Sequence, residues 1–143
     1  MTLDTQLSSP DTKYVVQDEP FSSDLKAASV EKILTFLDGP SLSRAIQSRS
    51  LIYEDETCKI WAWTLGDFIG IDTRIYDYED TKFSTYKHWK RLREVLENDI
   101  RKAGHKVYFT TVDDPVKFRW CEWWGMETTY VTLGTVELMI KEV

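Results

Sequence analysis

The sequence predicts a single mixed α+β domain, and three features carry that expectation. Apolar residues recur at helical spacing before Leu51, and then the period changes to strand alternation. The last 60 or so residues run in the order long helix, strand, short helix, hairpin, each with its own start and stop signal. At 143 residues and 16.8 kDa the chain can bury most of its apolar surface without disulfides or metal.

Residues 1–12 are polar, with Ser8, Ser9 and Pro10, and are expected to form a flexible arm ahead of one domain over residues 13–143. Lys13 to Val16 is a short strand candidate. Ser22, Ser23 and Asp24 then offer oxygens to the free amides of a helix start, and Val30, Ile33, Leu34 and Leu37 follow at helical spacing. Gly39 and Pro40 are expected to stop that helix, and Ser41 to begin a shorter one with Leu42, Ala45 and Ile46 on one side.

Lys59 to Leu65 meets Phe68 to Tyr76 through Gly66-Asp67, where a glycine can take the positive φ of a two-residue hairpin turn. In the second strand Ile69, Ile71 and Ile75 share one face while Asp72 and Arg74 share the other, which could line a cleft. Ser84 or Thr85 is expected to cap a helix reaching Ala103, with Tyr86, Trp89, Leu92, Leu96 and Ile100 on one stripe and Gly104 as its left-handed stop. Lys106 to Val112 is the next strand. Asp114-Pro115 opens a helix that ends at Gly125, and Thr128 to Leu133 and Val136 to Ile140 close the chain as a hairpin about Gly134-Thr135.

Composition excludes several function classes. A formal charge of −6 and a pI of about 4.9, with Lys and Arg concentrated only on one helix face, argue against an electrostatic grip on nucleic acid. Cys58 and Cys121 lie far apart and show no C-x-x-C or His-rich spacing, so neither a disulfide framework nor a metal site is expected, and a reducing cytoplasm suits them. The N-terminus lacks a basic start and apolar core, and no apolar run approaches membrane-spanning length. The expected chain is soluble, without membrane contact.

The run Asp114-Pro-Val-Lys-Phe-Arg-Trp-Cys-Glu-Trp-Trp-Gly125-Met126, placed after a strand and before a hairpin, resembles the fourth helix of the GCN5-related N-acetyltransferase (GNAT) superfamily. The family pattern there is Asn, two residues, Ala, three residues, Tyr, three residues, Gly-Phe. With Gly125 and Met126 aligned on the Gly-Phe pair, the asparagine falls on Asp114, the alanine on Lys117 and the tyrosine on Cys121. The element order agrees over nearly the whole chain. The resemblance implies a central mixed, mainly antiparallel sheet with helices on both faces. Phe118-Arg119-Trp120 ahead of Trp124-Gly125 is also similar to small acetyltransferase-like proteins of tailed phages, some associated with virion assembly, which implies the host cytoplasm or the virion as setting.

In that family acetyl-CoA is held through its pyrophosphate by backbone amides of a Gly-rich loop at the start of the third helix. The corresponding run here, Asp77-Tyr-Glu-Asp-Thr-Lys-Phe-Ser84, contains no glycine and three carboxylates. Each carboxylate within several ångströms of a pyrophosphate would cost on the order of 1 kcal/mol or more. The expectation is therefore a degenerate cofactor site, a pseudoenzyme, and no bound cofactor. Were acetyl-CoA bound, Lys82, Ser84, Thr85, Tyr86 and Asp114 would be its candidate contacts.

An active N-acetyltransferase acting on a primary amine is the alternative, with Asp72 as general base and Cys121 as the acid that protonates the leaving thiolate. Against these roles, Asp72 has Arg74 as a candidate ion-pair partner and a buried cysteine commonly acts as a small hydrophobe. His88 and His105 are read as solvated, and the charges of the long helix, Glu97 among them, as a solvated face. Trp120, Trp123 and Trp124 turn by about 100° per position and cannot all face one core, so they are candidates for a protein interface. Trp61 and Trp63 share a strand face and extend a core or line a cleft. A protein partner or a homo-oligomer is the expected mode of action.

Overall fold

The computed structural model describes residues 14–16, 21–37, 39–76 and 83–143, with 14–16, 39–40, 83–85 and 133 described by their backbone. The expected arm over residues 1–12 lies outside the described residues. The elements in chain order are β1 (Tyr14–Val16), α1 (Asp24–Ile33), α2 (Gly39–Gln47), β2 (Ser50–Glu54), β3 (Cys58–Leu65), β4 (Phe68–Ile75), α3 (Phe83–Lys102), β5 (Val107–Val112), α4 (Pro115–Trp124), β6 (Glu127–Leu133) and β7 (Val136–Glu142).

One seven-stranded sheet of order β1-β6-β7-β5-β4-β3-β2 holds them together. Every neighbouring pair is antiparallel except β4 and β5, which run parallel, as a connection through a whole helix permits. Strand alternation sends Trp63, Phe68, Phe109, Leu138 and Ile140 to one face, where Val30 and Ile33 of α1, Leu37, and Leu42 of α2 cover them. It sends Ile60, Ile71, Tyr108 and Met139 to the other, under Trp89, Leu96 and Ile100 of α3 and Cys121 and Trp124 of α4. This is the mixed, mainly antiparallel α+β sheet with helices on both faces that the GNAT resemblance implied.

The local signals act as their chemistry requires. Ser23 caps α1, its hydroxyl accepting from the Lys26 amide at 3.1 Å. Asp114 caps α4 by accepting from the Val116 and Lys117 amides at 2.9 and 2.8 Å, and Gly125 ends that helix at φ 103°. Two boundaries differ from expectation. Gly39 and Pro40 form the first turn of α2 instead of a break before it, in keeping with the tolerance of proline at a helix start. β2 is a strand in its own right, hidden from periodicity because a bulge between Leu51 and Tyr53 breaks its alternation.

Candidate functional site at the fork of the parallel strands

β4 and β5 share the sheet register at one position, Gly70 opposite Phe109, and the fork beyond it is where a mixed sheet can admit a ligand between its strands. Among the described residues, side chains cover it on both faces. On the α1–α2 face the Trp63 indole lies flat over Gly70, so close that a Cβ added there would stand 1.8 Å from the ring. Farther along, the carboxylate of Asp72, only 7% exposed, accepts from the Thr111 hydroxyl at 3.2 Å and ties β4 to β5. The ion pair expected between Asp72 and Arg74 does not form. Arg74 instead sets its guanidinium 5.8 Å from the Tyr76 ring.

On the opposite face Ile71, Thr73, Tyr108 and Thr110 are roofed by Trp120, Cys121, Trp124 and Met126. The space left under the roof is about 20 Å³, room for roughly one water molecule. The Cys121 thiol is buried, and burial pushes its pKa up to about 11, with Lys117 opposing and Asp114 and Asp72 reinforcing the shift. Handing a proton from such a thiol to an ordinary thiolate, whose pKa is about 8.5, runs uphill by roughly 3 kcal/mol. Asp72 shares the face of Trp63 and Thr111 and Cys121 that of Tyr108 and Trp124, with Asp72 near enough for its charge to act on the thiol.

The remaining expected contacts are described only in part. Lys82 and the acidic run over residues 77–82 lie outside the described residues, as do the side chains of Ser84 and Thr85. Asp114 spends its carboxylate on capping α4. Tyr86 stands at the start of α3, 39% exposed, its ring centroid 4.9 Å from that of Trp123. Trp123 stacks on Trp120 at 4.9 Å, and Trp120 meets Trp89 edge-on at 4.2 Å, so a ladder of aromatic rings fills the crevice between α3 and α4. Each such pair contributes about 0.5–1.5 kcal/mol beyond its buried area.

Of the three tryptophans proposed for an interface, Trp124 is a correction. It is 6% exposed and its Nε1 donates to the Tyr108 hydroxyl at 2.7 Å, which makes it a core residue. Trp120 is half-buried within the ladder, and Trp123, at 41%, carries the exposed indole. Trp61 and Trp63 are not jointly exposed either, since Trp63 is a core side chain at 2%.

Two polar clusters escaped the sequence reading. Glu97 is not on a solvated face: it is 7% exposed, accepts from the Tyr108 hydroxyl at 2.7 Å and pairs with Lys141 at 2.6 Å. Its place four residues after Arg93 and three before Ile100, on the stripe of Trp89, was the available signal. His88, expected to be solvated, donates from Nε2 to Asp55 at 2.7 Å and fastens α3 to the β2–β3 turn. Asp55 also accepts from the Thr57 amide and hydroxyl, both at 2.6 Å, the Cys58 amide at 3.0 Å and the Tyr53 hydroxyl at 2.5 Å.

Those hydrogen bonds set the ionisation of the cluster. Burial favours the neutral Asp55 carboxyl, but the hydrogen bonds from Thr57, Tyr53 and His88 together outweigh it and hold the group well below the usual carboxylate range. The same bond to Asp55, with burial second, pushes Tyr53 up to about 12. A depressed carboxylate stabilises the fold fully above its unfolded pKa, about 3.9, and loses that contribution as pH falls below it. Asp55→Asn is therefore expected to lower stability at neutral pH and to flatten the acid limb of a stability profile measured by urea unfolding between about pH 2 and pH 6.

No group of three or more His, Cys, Asp or Glu side chains that could hold a metal occurs among the described residues, and no helix there is long and apolar enough to cross a membrane. No family model matches the sequence, and no curated protein does. Among solved structures, a crystal structure described as a "putative acetyltransferase from Agrobacterium tumefaciens" aligns over 88% of this chain and 100% of that one, with a TM-score of 0.44 and 15% identity.

Proposed function

We propose that this chain is a GNAT-like protein that has lost acetyl transfer and acts as a binding or assembly protein. The observation that carries the reading is the closed fork: Trp63 lies over Gly70 on one face, and on the other Trp120, Cys121 and Trp124 leave about 20 Å³. The thiol-bearing arm of coenzyme A does not fit such a space, and a glycine-free acidic run at the start of the third helix is a poor partner for its pyrophosphate. Asp72, tied to Thr111, and Cys121, whose buried thiol is pushed up to about 11, are a poor acid–base pair.

What such a protein offers a partner is surface, and Trp123 with Tyr86 beside it is an exposed aromatic pair of the kind that anchors protein contacts. A tailed-phage virion as the setting rests on the Phe118 to Gly125 resemblance alone, and recovery of the chain with purified virions would test it. The main test is calorimetric titration of the full chain with acetyl-CoA. No binding is expected at about 1 mM cofactor, and an affinity near 1 µM would overturn the reading.

A further inference from the structure

The sheet ends, among the described residues, at β2, a five-residue edge strand interrupted by the bulge between Leu51 and Tyr53. Its sequence, Ser50-Leu51-Ile52-Tyr53-Glu54, contains neither lysine nor proline, the residues that commonly blunt a free edge. Leu51 and Ile52 are 50% and 48% exposed, and Val95 on the neighbouring face of α3 is 56% exposed. Between α3 and the edge runs an apolar groove of about 310 Å³ that includes Ile52, Val95, Leu92 and Ala103, with Asp99 at its rim. A sheet edge with no further strand on it among the described residues, beside an apolar groove, is a template for strand addition.

We propose that the occupant of this edge is a second copy of the chain, its β2 pairing antiparallel with the first about a twofold axis. The inference rests on the assembly reading for the existence of a partner and names that partner. Charge complementarity selects the second copy. Arg49, held over the Trp61 ring at 4.7 Å, stands at one end of the strand, and Glu54 stands at the other. An antiparallel twofold sets Arg49 of each copy against Glu54 of the other and places Leu51 and Ile52 at the centre, Leu51 on the face of Trp61 and Ile52 on the face of α3, so one surface is its own complement. An axis normal to the sheet also keeps both α3 helices on the same side. Ile52 and Val95 of one copy then meet their counterparts across a continuous apolar seam.

The charges make the test specific. Sedimentation velocity and light scattering on the full chain are expected to show a dimer at about 100 µM that the double variant Leu51→Lys, Ile52→Lys converts to monomer. Arg49→Glu alone and Glu54→Arg alone are each expected to weaken the dimer, and Arg49→Glu combined with Glu54→Arg to restore it. The variants carrying Glu54→Arg lose the exposed bridge to Lys59, which matters little to the fold, and circular dichroism verifies folding. A wild-type monomer, a dimer indifferent to these substitutions, failure of the double reversal to restore it, or loss of the dimer on Trp123→Ala in place of Leu51→Lys, Ile52→Lys would each overturn the inference. Acetyl-CoA titration of the same samples separates the two readings. A β2-dependent dimer that binds cofactor would defeat the loss of acetyl transfer and leave the interface standing, whereas a monomer that binds none would do the reverse.

Discussion

Among alanine substitutions at Gly66, Gly70, Gly104, Gly125 and Gly134, Gly70→Ala is expected to be the most damaging, lowering stability by about 3–5 kcal/mol. The added carbon would stand 1.8, 2.0 and 2.2 Å from three atoms of the Trp63 indole. No adjustment of a few tenths of an ångström accommodates contacts that short. Trp63 is 2% exposed and packed in the core that includes Leu65, Phe68 and Phe109, so the ring must leave its place or β4 must move out from under it. Either outcome forfeits most of what burying an indole contributes. In urea the midpoint should fall with the slope unchanged, and the thermal midpoint should drop by roughly 10–20 °C.

The partner substitution separates the clash from a general intolerance of strand β4. Trp63 Nε1 has no hydrogen-bond partner among the described residues, so Trp63→Phe removes an unsatisfied donor as well as some buried area. Its expected cost is under about 1.5 kcal/mol. Combined with Gly70→Ala it should recover part of the loss, a coupling of about 0.5–3 kcal/mol that appears only if the two side chains compete for one space. Purely additive losses would place the sensitivity of position 70 elsewhere, and with it the closure of the fork on that face.

Much of this architecture is written in local signals. The bounds of α4 follow from Asp114, Pro115 and Gly125, and the β3–β4 hairpin from Gly66, whose φ of 59° only a few residue types adopt. That two-residue turn also implies the register that sets Trp63 opposite Gly70, so one half of the closed fork was implicit in the sequence although it takes the pairing to see it. The other half was not. Which of Trp120, Trp123 and Trp124 faces inward depends on how α4 is rolled against Tyr108 and Met126, and that is settled by contacts distant in sequence. β2 was hidden by its bulge. Glu97 was hidden by its type, since a glutamate in a helix reads as solvated until a lysine 44 positions later is brought beside it.

That glutamate carries the second large effect. Glu97→Ala is expected to cost about 3–5 kcal/mol, because it removes the partner of Lys141 at 2.6 Å and leaves the ammonium of that side chain, 17% exposed overall, without its carboxylate. Tyr108→Phe should cost less, about 1–3 kcal/mol, but it strikes the same chain of bonds. The Tyr108 hydroxyl donates to Glu97 and accepts from Trp124 Nε1, each at 2.7 Å, and Arg93 donates to the Trp124 carbonyl at 2.7 Å. One oxygen on β5 thus joins α3 to α4, and the Glu97 carboxylate carries the chain on through Lys141 to β7. A double-mutant cycle between Glu97 and Tyr108 should give a coupling of about 0.5–3 kcal/mol. Alkali supplies the independent measurement. Burial, and next the negative charge of Glu97, hold the Tyr108 phenol far above its ordinary value. A raised acid of this kind contributes its full stability below its unfolded pKa, near 10, and loses it as pH climbs beyond that point, because the unfolded chain releases the proton that the fold retains. Stability of the parent chain should therefore fall between about pH 10 and pH 12 more steeply than that of Tyr108→Phe. Equal slopes would mean that the phenol is not held in this network, and the roof that α4 places over the fork would lose its principal anchor.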